Sequence, residues 1–257
     1  MMDFLQMEGK HVLVTGGASG IGRQTAVTLS EYGAKISVID MNEDRLKETL
    51  SMLKGEGHTC HTADLTRIDD IEPMIKSIVN EAGAFDGYVQ CAGISKDLPI
   101  KIFNFERLNQ LMLINFYSFF EIVRVLSKKG RFNEGMSIVG ISSTASECGV
   151  SSNTAYSASK AAMNGAMRSM AKELSSKGIR VNTILPGPTN TEMYRGFLSM
   201  KAEMSGAASA APAPSSRNYL GINEPVDVAN AIAFLLSPAS KMITGIELPV
   251  DAGYTSC

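Results

Sequence analysis

The sequence has little net charge, few cysteines and no clustered metal ligands. Its 257 residues carry a formal net charge of −2, which gives no indication of nucleic acid or an anionic membrane as a partner. Four cysteines and three histidines are scattered without a CxxC pair or a zinc-ligand spacing, so no metal is expected. Isolated cysteines also favour reduced thiols in a cytoplasm over disulfide bonds.

Long hydrophobic runs are also missing. The most apolar stretch, 111–123, has 13 residues and includes Asn115 and Glu121, so it is too short and too polar to span a bilayer. The amino terminus lacks a basic start followed by an apolar stretch and a small-residue cleavage site, so we expect no signal peptide. These absences predict a cytoplasmic protein without a membrane partner.

What the sequence does contain is a regular alternation of short apolar runs and amphipathic stretches. This pattern predicts a Rossmann-type, doubly wound α/β sheet of about seven parallel strands with helices on both faces. No internal repeat or second alternating unit is seen, so a single domain over 1–257 is preferred. The predicted strands are 11–16, 34–40, 58–65, 85–93, 135–143, 179–187 and 245–253, and the predicted helices 21–33, 42–57, 69–83, 104–129, 154–176 and 224–237.

A glycine-rich turn follows the first predicted strand. In "VTGGASGIG" the glycines have the spacing G-x-x-x-G-x-G, between a strand and the helix after it. Glycine allows a tight turn and close backbone approach to a diphosphate, and the helix amino terminus offers free N–H groups. Because the turn stands at the first strand–helix junction, dinucleotide binding is favoured over a purely structural turn. The expected contacts are Gly16, Ser19, Gly20, Ile21 and Gly22.

Acidic residues follow the second and third predicted strands. A carboxylate at Asp40 can accept both ribose hydroxyls of an adenosine and would repel a 2′-phosphate. No arginine or lysine adjoins it in sequence, since Met41 follows, and the prediction is therefore NAD(H) rather than NADP(H). The alternative is that Asp40 caps the helix beginning near Asn42. Asp64, with Leu65 beside it, is expected near the adenine, although helix capping explains Asp64 nearly as well.

Several motifs together resemble the short-chain dehydrogenase/reductase family in its single-domain form, and the match covers nearly the whole chain. The resemblance implies a seven-stranded Rossmann sheet, a nicotinamide cofactor and a catalytic set of Tyr156, Lys160, Ser143 and Asn115. The motifs are "TGGASGIG" (15–22), Asn115, "ISS" (141–143), "YSASK" (156–160), "LPGPTNTEM" (185–193) and "ITGIELPVDAG" (243–253).

The implied roles are consistent with carbonyl reduction. Tyr156 would exchange a proton with the substrate oxygen, and the Lys160 ammonium, with a positive nicotinamide, would lower the pKa of the phenol. Lys160 would also reach the nicotinamide ribose. Ser143 would hydrogen-bond the substrate oxygen. Ser142 is the adjacent alternative, but alternate strand residues face opposite ways, so only one can serve.

Asn115 lies inside an otherwise apolar predicted helix. The resemblance implies that it holds a water that relays protons toward Lys160; the alternative is a buried asparagine bonded to backbone. After the sixth strand, the turn formed by Pro186 and Gly187 is expected near the nicotinamide. Thr191 and Thr189 are expected to bond the cofactor there.

The sequence departs from the family after the fourth strand. The usual Asn-Ala-Gly is here Cys91, Ala92 and Gly93. Ala92 and Gly93 are still expected to let the adenosine ribose approach. Cys91, a small and weakly bonding residue, is expected to reduce local rigidity. A reactive thiol is disfavoured because no basic residue adjoins Cys91 in sequence.

Substrate specificity is expected from three segments, 94–99, 144–153 and 193–218. The last contains a stretch rich in Ala, Ser, Gly and Pro, 204–218, whose composition suggests mobility. Because it follows a strand's carboxyl end, a substrate lid over about 192–218 is favoured over an ordinary surface loop.

The favoured function is NAD(H)-dependent interconversion of a secondary alcohol and a ketone, both small molecules. One alternative is a 3-oxoacyl-(acyl-carrier-protein) reductase, another a non-catalytic cofactor-binding scaffold. Basic residues could meet an acidic carrier protein, but such charges are more often solvated helix ends. The resemblance also implies a homo-oligomer, a tetramer or dimer, formed through 104–129 and 154–176. The basic residues are Lys128, Lys129, Arg131 and Lys177.

Overall fold

Seven parallel strands form one sheet in the computed structural model, which describes residues 4–205 and 218–256. The strand order is β3-β2-β1-β4-β5-β6-β7, so the order reverses at β1 and β4, where a cleft opens beyond the carboxyl ends of the strands. This confirms the predicted Rossmann-type sheet. The strands are β1 (His11–Thr15), β2 (Lys35–Asp40), β3 (Thr59–Thr62), β4 (Phe85–Gln90), β5 (Phe132–Ile141), β6 (Arg180–Pro186) and β7 (Glu247–Val250).

Helices cover both faces of the sheet. None of the helices within residues 4–205 and 218–256 has the length and apolar character needed to cross a membrane. The helices are α1 (Gly20–Glu31), α2 (Glu43–Met52), α3 (Ile68–Ala82), α4 (Phe105–Met112), α5 (Ser118–Leu126), α6 (Thr154–Leu174), α7 (Glu192–Ser205) and α8 (Pro225–Leu236).

Alternating strand residues separate two apolar cores. Val12 and Val14 pack on one face against side chains of α1, α2 and α8, such as Leu29. Leu13, between them, packs on the other face against α3, α5 and α6, as Ile75 does. Because successive side chains of a strand point to opposite faces, apolar runs without alternation are buried on both sides. This is why the strands could be recognised as short continuous apolar runs.

The predicted helix over 104–129 is interrupted. It begins after the Asn104 cap, which accepts a hydrogen bond from the Arg107 N–H at 2.9 Å. A π-helical turn over Leu113–Tyr117 then separates α4 from α5. Such turns arise where one residue is accommodated in excess of the regular helix, frequently at functional sites. This one contains Asn115.

Other predicted boundaries also differ. The third strand ends at Thr62 rather than at residue 65, and the fifth ends at Ile141. Ser143 therefore lies beyond the strand, where it caps a short 3₁₀ turn by accepting the Ala145 N–H at 3.1 Å. The alternation argument that separated Ser142 from Ser143 does not apply, because Ser143 has left the sheet.

The expected lid segment begins as a helix. α7 occupies its first part, since Met, Leu, Lys, Ala and Glu all favour helix. Residues 206–217, the centre of the predicted mobile stretch, lie outside the described residues. No secondary structure was predicted for Glu192–Ser205, and the lid function stays a prediction.

Candidate active site

A cavity of about 380 Å³ lies at the carboxyl ends of β1, β2 and β4, where the glycine turn meets the sheet. We call it the cofactor-side cavity. It brings together twelve of the predicted cofactor residues, which come from five separate parts of the sequence. They are Gly16, Ser19, Gly20, Ile21, Gly22, Asp40, Asp64, Leu65, Cys91, Ala92, Gly93 and Thr191.

Backbone packing explains the glycines of the turn. Gly16 has a φ of 68°, and a Cβ there would lie 2.6 Å from the Ala92 nitrogen. A Cβ on Gly22 would lie 2.1 Å from the Gly16 carbonyl oxygen. Neither position can hold a side chain without moving backbone. The turn is thus pressed against the Cys91–Gly93 segment, leaving a smooth cradle at the amino terminus of α1 that suits a diphosphate.

Asp40 lines this cradle at the end of β2. Its Oδ2 accepts the Ala18 N–H at 3.1 Å and its Oδ1 accepts the Asn42 N–H at 3.2 Å. The cap of α2 is Asn42 itself, whose Oδ1 accepts the Arg45 N–H at 3.0 Å. Asp40 thus holds the turn and the strand end together, and its carboxylate faces the cavity where a ribose would lie.

Asp64 also faces the cofactor-side cavity, but its acceptors are engaged locally. Its Oδ1 accepts the Thr66 N–H at 2.9 Å and the Thr66 hydroxyl at 2.7 Å, and these bonds lower the pKa of the carboxyl. The sequence left helix capping open for Asp64, but the cap position of α3 is Arg67 and Asp64 instead stabilises the turn before it. Leu65 beside it is buried and supplies an apolar wall.

A second cavity, of about 290 Å³, adjoins the first and shares Ile21, Gly93 and Thr191 with it. We call it the substrate-side cavity. Tyr156, Lys160 and Ser143 all line it, as do Pro186, Gly187 and Thr189, which do not line the cofactor side. Three of the residues predicted to be catalytic therefore line the cavity that adjoins the cofactor side.

Tyr156 is held one turn before Lys160 on α6, beside the Ser143 side chain. Burial raises the pKa of Tyr156 to about 12, the hydrogen bond with Ser143 opposes that rise, and the Asp97 carboxylate adds to it. The direction is opposite to the lowering predicted from Lys160, because burial outweighs the other influences within the protein itself. A lowered pKa stays a prediction for the complex with a positively charged cofactor.

Lys160 is buried, only 4% exposed. Its Nζ donates to the Ile141 carbonyl at 2.7 Å and lies 5.6 Å from the centre of the Tyr156 ring. Burial lowers the pKa of this ammonium to about 8. The solvated surface lysine that an isolated YSASK motif would allow is therefore excluded.

Of the two adjacent serines, Ser143 has the free donor. Its Oγ accepts the Ala145 N–H, which leaves the hydroxyl proton available toward Tyr156 and the cavity. Ser142 is 2% exposed and donates to the Lys160 carbonyl at 3.3 Å, which fixes α6 against β5.

Asn115 is fully buried beside Ile94, in the segment after β4, and lines neither cavity. Its Oδ1 accepts the Ile94 N–H at 2.8 Å, and its Nδ2 donates to the Ile94 carbonyl and to Ser159 Oγ, both at 3.0 Å. This is the backbone-bonded asparagine that the sequence offered as the alternative to a water relay. A Cβ on Gly93 would lie 3.2 Å from Asn115 Oδ1 and 3.4 Å from Lys160 Nζ. The two groups therefore border the same small space.

Cys91 lies at the junction of the two cavities. Burial raises the pKa of its thiol to about 12, although the nearby Lys160 charge acts in the opposite direction. The thiol is thus protonated at neutral pH, and the reactive-thiol interpretation has no support.

Thr189 Oγ1 donates to the Gly187 carbonyl at 2.9 Å, so this side chain stabilises the turn after β6. Thr191 borders both cavities.

One ion pair beside the site was not predicted. Arg45, one turn into α2, forms a two-pronged ion pair with Glu192 at the start of α7, one arm being 2.9 Å from Nη1 to Oε2. The hydrogen bond with Glu192 and, to a smaller extent, the charge of Asp40 raise the pKa of Arg45, so a cation does lie near the Asp40 carboxylate. This pairing has no local sequence signal, since Arg45 and Glu192 are 147 residues apart. Asp97, within the predicted specificity segment 94–99, lines the substrate-side cavity.

Comparison with known proteins gives matches over almost the whole chain. A family model described as "Enoyl-(Acyl carrier protein) reductase" matches residues 16–255. A 3-oxoacyl-(acyl-carrier-protein) reductase of Vibrio cholerae is 30% identical over 249 residues, covering 97% of this chain and 98% of that protein. The 7alpha-hydroxysteroid dehydrogenase of Escherichia coli K12 is 30% identical over 256 residues, covering 98% and 96%.

Solved structures give the same result for the fold. A dehydrogenase/reductase from Sinorhizobium meliloti 1021 has a TM-score of 0.83 at 29% identity and covers 96% of both chains. The aldohexose dehydrogenase of Thermoplasma acidophilum, in ligand-free form, has a TM-score of 0.86 at 24% identity, covering 99% of this chain and 97% of that one. At that identity the second likeness concerns the fold alone.

Proposed function

Because the chain belongs to the short-chain dehydrogenase/reductase family, as the family match over residues 16–255 shows, we propose that it interconverts a secondary alcohol and a ketone with NAD(H). The family makes it an oxidoreductase acting on CH–OH or C=O groups. The observation that carries the finer proposal is the convergence of Tyr156, Ser143 and Lys160 on one cavity that opens into the glycine cradle.

Tyr156 is proposed as the general acid/base. The nicotinamide cofactor, when bound, supplies or accepts the hydride at the reacting carbon. In reduction, Tyr156 donates its phenolic proton to the substrate oxygen, and Ser143 donates a hydrogen bond to the same oxygen as charge develops. In oxidation, the phenolate removes the alcohol proton. A neutral phenol at physiological pH, which the raised pKa supports, is ready to act as the acid.

Lys160 and Asn115 are proposed to return the proton to Tyr156. Lys160 has a pKa of about 8, so it can release and regain a proton near neutral pH. Asn115 Oδ1 and Lys160 Nζ both lie beside Gly93, 3.2 Å and 3.4 Å from where its Cβ would be, and this proximity supports a shared role in the relay. Lys160 is also proposed to hold the nicotinamide ribose.

The glycine cradle fits a dinucleotide, and Asp40 supports NAD(H) over NADP(H). Its carboxylate would accept the ribose hydroxyls and repel a 2′-phosphate. Arg45 could attract that phosphate, but Glu192 already pairs with it. The residues proposed to contact the cofactor are the twelve of the cofactor-side cavity, with Tyr156, Lys160, Pro186, Gly187 and Thr189 on the nicotinamide side.

A 3-oxoacyl-(acyl-carrier-protein) reductase remains the second candidate, since a relative with that name is 30% identical. The basic residues considered for carrier binding are largely engaged within the protein. Lys128 and Arg131 both pair with Glu72, and Lys177 donates to the Ser127 carbonyl at 2.9 Å. Their pairing weakens the case for an acidic partner. The assembled Tyr156, Ser143 and Lys160 likewise weaken the case for a non-catalytic scaffold.

Two measurements test this proposal. NADH should bind at least about tenfold more tightly than NADPH in a fluorescence titration, because Asp40 selects for the free hydroxyls. Tyr156→Phe should lower turnover about 1,000-fold or more while NADH affinity stays within about twofold, because only the proton donor is lost. Equal affinities for the two cofactors would refute the Asp40 role, and a Tyr156→Phe enzyme with substantial turnover would refute the acid/base assignment.

The assembly and location are also proposals. Apolar side chains remain exposed on α4 and α5, with Phe105 at 81% and Phe120 at 47%, which supports a homo-oligomer with a second copy covering that face. Sedimentation as a tetramer or dimer is expected, and a monomer would contradict it.

Free thiols at Cys60, Cys91 and Cys148 support a reducing compartment such as the cytoplasm.

A further inference from the structure

An acidic side chain stands in the wall of the substrate-side cavity. Asp97, in the loop after β4, is half-buried and accepts one long hydrogen bond, 3.4 Å from the Ser95 hydroxyl. Among the side chains that the structure describes, those of residues 4–199 and 218–256, no lysine, arginine or histidine forms an ion pair with it. The opposite wall is apolar, formed by Met193, Tyr194 and Phe197 of α7.

This position of Asp97 is unfavourable for the protein by itself. A carboxylate removed from water without a cation loses solvation that a single weak hydrogen bond does not restore. Desolvation accordingly raises the pKa of Asp97. Its charge also raises the pKa of Tyr156, so it lies within electrostatic reach of the proposed acid/base. A hydrogen-bond donor on a bound molecule would stabilise the Asp97 carboxylate and weaken its effect on the pKa of Tyr156.

A second acceptor borders the same cavity without a partner. The Oδ1 of Asn153, at the start of α6, is buried and accepts no hydrogen bond from the described residues. Asn153 and Asp97 come from different segments, 144–153 and 94–99. Two acceptors with unfilled capacity beside one reactive tyrosine indicate a ligand that brings donors of its own.

We propose that Asp97 is a specificity-determining residue that binds a second hydroxyl group of the substrate, so that the substrate is a polyhydroxylated secondary alcohol or the matching hydroxy ketone. This inference rests on the proposed function. An acyl or steroid-like surface free of donors at this point would leave Asp97 buried and unpaired. A substrate ammonium is disfavoured because Lys160 already places a positive charge in the cavity, where a positive nicotinamide would add another.

The test compares matched six-membered rings. Cyclohexanol, the 1,2- and 1,3-cyclohexanediols and 2-aminocyclohexanol are assayed for turnover with NAD⁺, and their affinities for the enzyme–NADH complex are measured by calorimetry. The wild type is compared with Asp97→Asn and Asp97→Leu. Glu147→Gln is the matched control, because it removes one negative charge from an exposed residue outside the cavity.

For the wild type we expect at least one diol to bind about tenfold more tightly than cyclohexanol, since a hydrogen bond to a charged acceptor distinguishes them. The preference should persist in Glu147→Gln, shrink in Asp97→Asn and vanish in Asp97→Leu. Equal affinities for diols and cyclohexanol, a preference for the amino alcohol, or a preference unchanged in Asp97→Leu would each overturn the inference. If none of the rings is turned over, the result counts against the proposed function. The role of Asp97 is decided separately, by the calorimetric affinities.

Discussion

On the cofactor side of the cleft a glycine turn packs backbone against backbone, whereas the substrate side includes side chains carried by loops and by α7. A Cβ on Gly22 would collide with the Gly16 carbonyl at 2.1 Å. Asp97 and Phe197, by contrast, line their cavity from segments that no strand holds. Where backbone packs directly on backbone, few residue types are tolerated, whereas positions in loops tolerate many. The cofactor half therefore carries a recognisable sequence signature, while the substrate half is where we expect this protein's own specificity.

The largest predicted effect on cofactor binding comes from disturbing the backbone packing of the glycine turn. Gly22→Ala should weaken NADH binding about 100-fold, because relieving an overpacked contact costs up to about 3 kcal/mol and moves the turn. Titration of NADH fluorescence measures this. Gly165→Ala is the control, since a Cβ at that position of α6 meets no atom within 4 Å. It should leave NADH affinity unchanged. A Gly22→Ala protein with normal affinity would contradict the proposed tight packing.

The next effect concerns Lys160, where the two sides meet. Its pKa of about 8 in the folded protein, against 10.5 for an ordinary lysine, means that folding buries a charge below pH 8. Lys160→Met removes a cost of about 3 kcal/mol, less about 1 kcal/mol for the lost hydrogen bond to Ile141. Without cofactor, the variant should thus be about 2 kcal/mol more stable at pH 7, although inactive.

The pH dependence of this difference follows from the sign of the shift. Between pH 8 and 10.5 the folded wild type has lost its Lys160 proton while the unfolded chain keeps it, so wild-type stability rises with pH. The advantage of Lys160→Met should therefore be full below pH 8 and fade toward pH 10.5. Urea unfolding at several pH values measures it. A variant less stable than the wild type at pH 7 would show that the ammonium is not the penalised group.

The smallest predicted effect concerns the ion pair between the two sides. Glu192→Gln should release Arg45 beside Asp40 and raise the affinity for NADPH relative to NADH about fivefold, the value of a modest ion pair. Parallel titrations of both cofactors measure the ratio. The control is Glu43→Gln, which frees Lys47 on the outer surface of α2 instead. The same ratio in both variants would exclude Glu192 as the residue that masks Arg45.

The sequence predicted the sheet and the cofactor half well because both depend on local patterns. Buried strands appear as apolar runs, and the turn requires glycine at positions such as Gly16 and Gly22. It failed where structure depends on distant contacts. The π-helical turn around Asn115 has no local signal. α7 was not among the predicted helices, and the Arg45–Glu192 pair joins residues far apart in sequence.

The pKa of Tyr156 shows a similar limit on what the sequence can predict. The YSASK spacing correctly predicted that Tyr156 and Lys160 lie one turn apart. It could not predict that burial raises the phenol pKa to about 12, because burial is set by the whole fold. Nor could it identify Asp97 as a charge acting on that phenol. Spacing determines which groups meet, and the surrounding protein determines their protonation.

A turnover screen tests the central claim most directly. Ketones, secondary alcohols and acyl-carrier-protein thioesters are assayed with NAD(H) and NADP(H), using the wild type and Tyr156→Phe. We predict that a ketone–alcohol pair turns over with NAD(H) at least about tenfold more efficiently than with NADP(H), as Asp40 requires. That turnover should disappear in Tyr156→Phe. Turnover confined to thioesters with NADPH, or turnover that survives the loss of the Tyr156 hydroxyl, would contradict the proposed function.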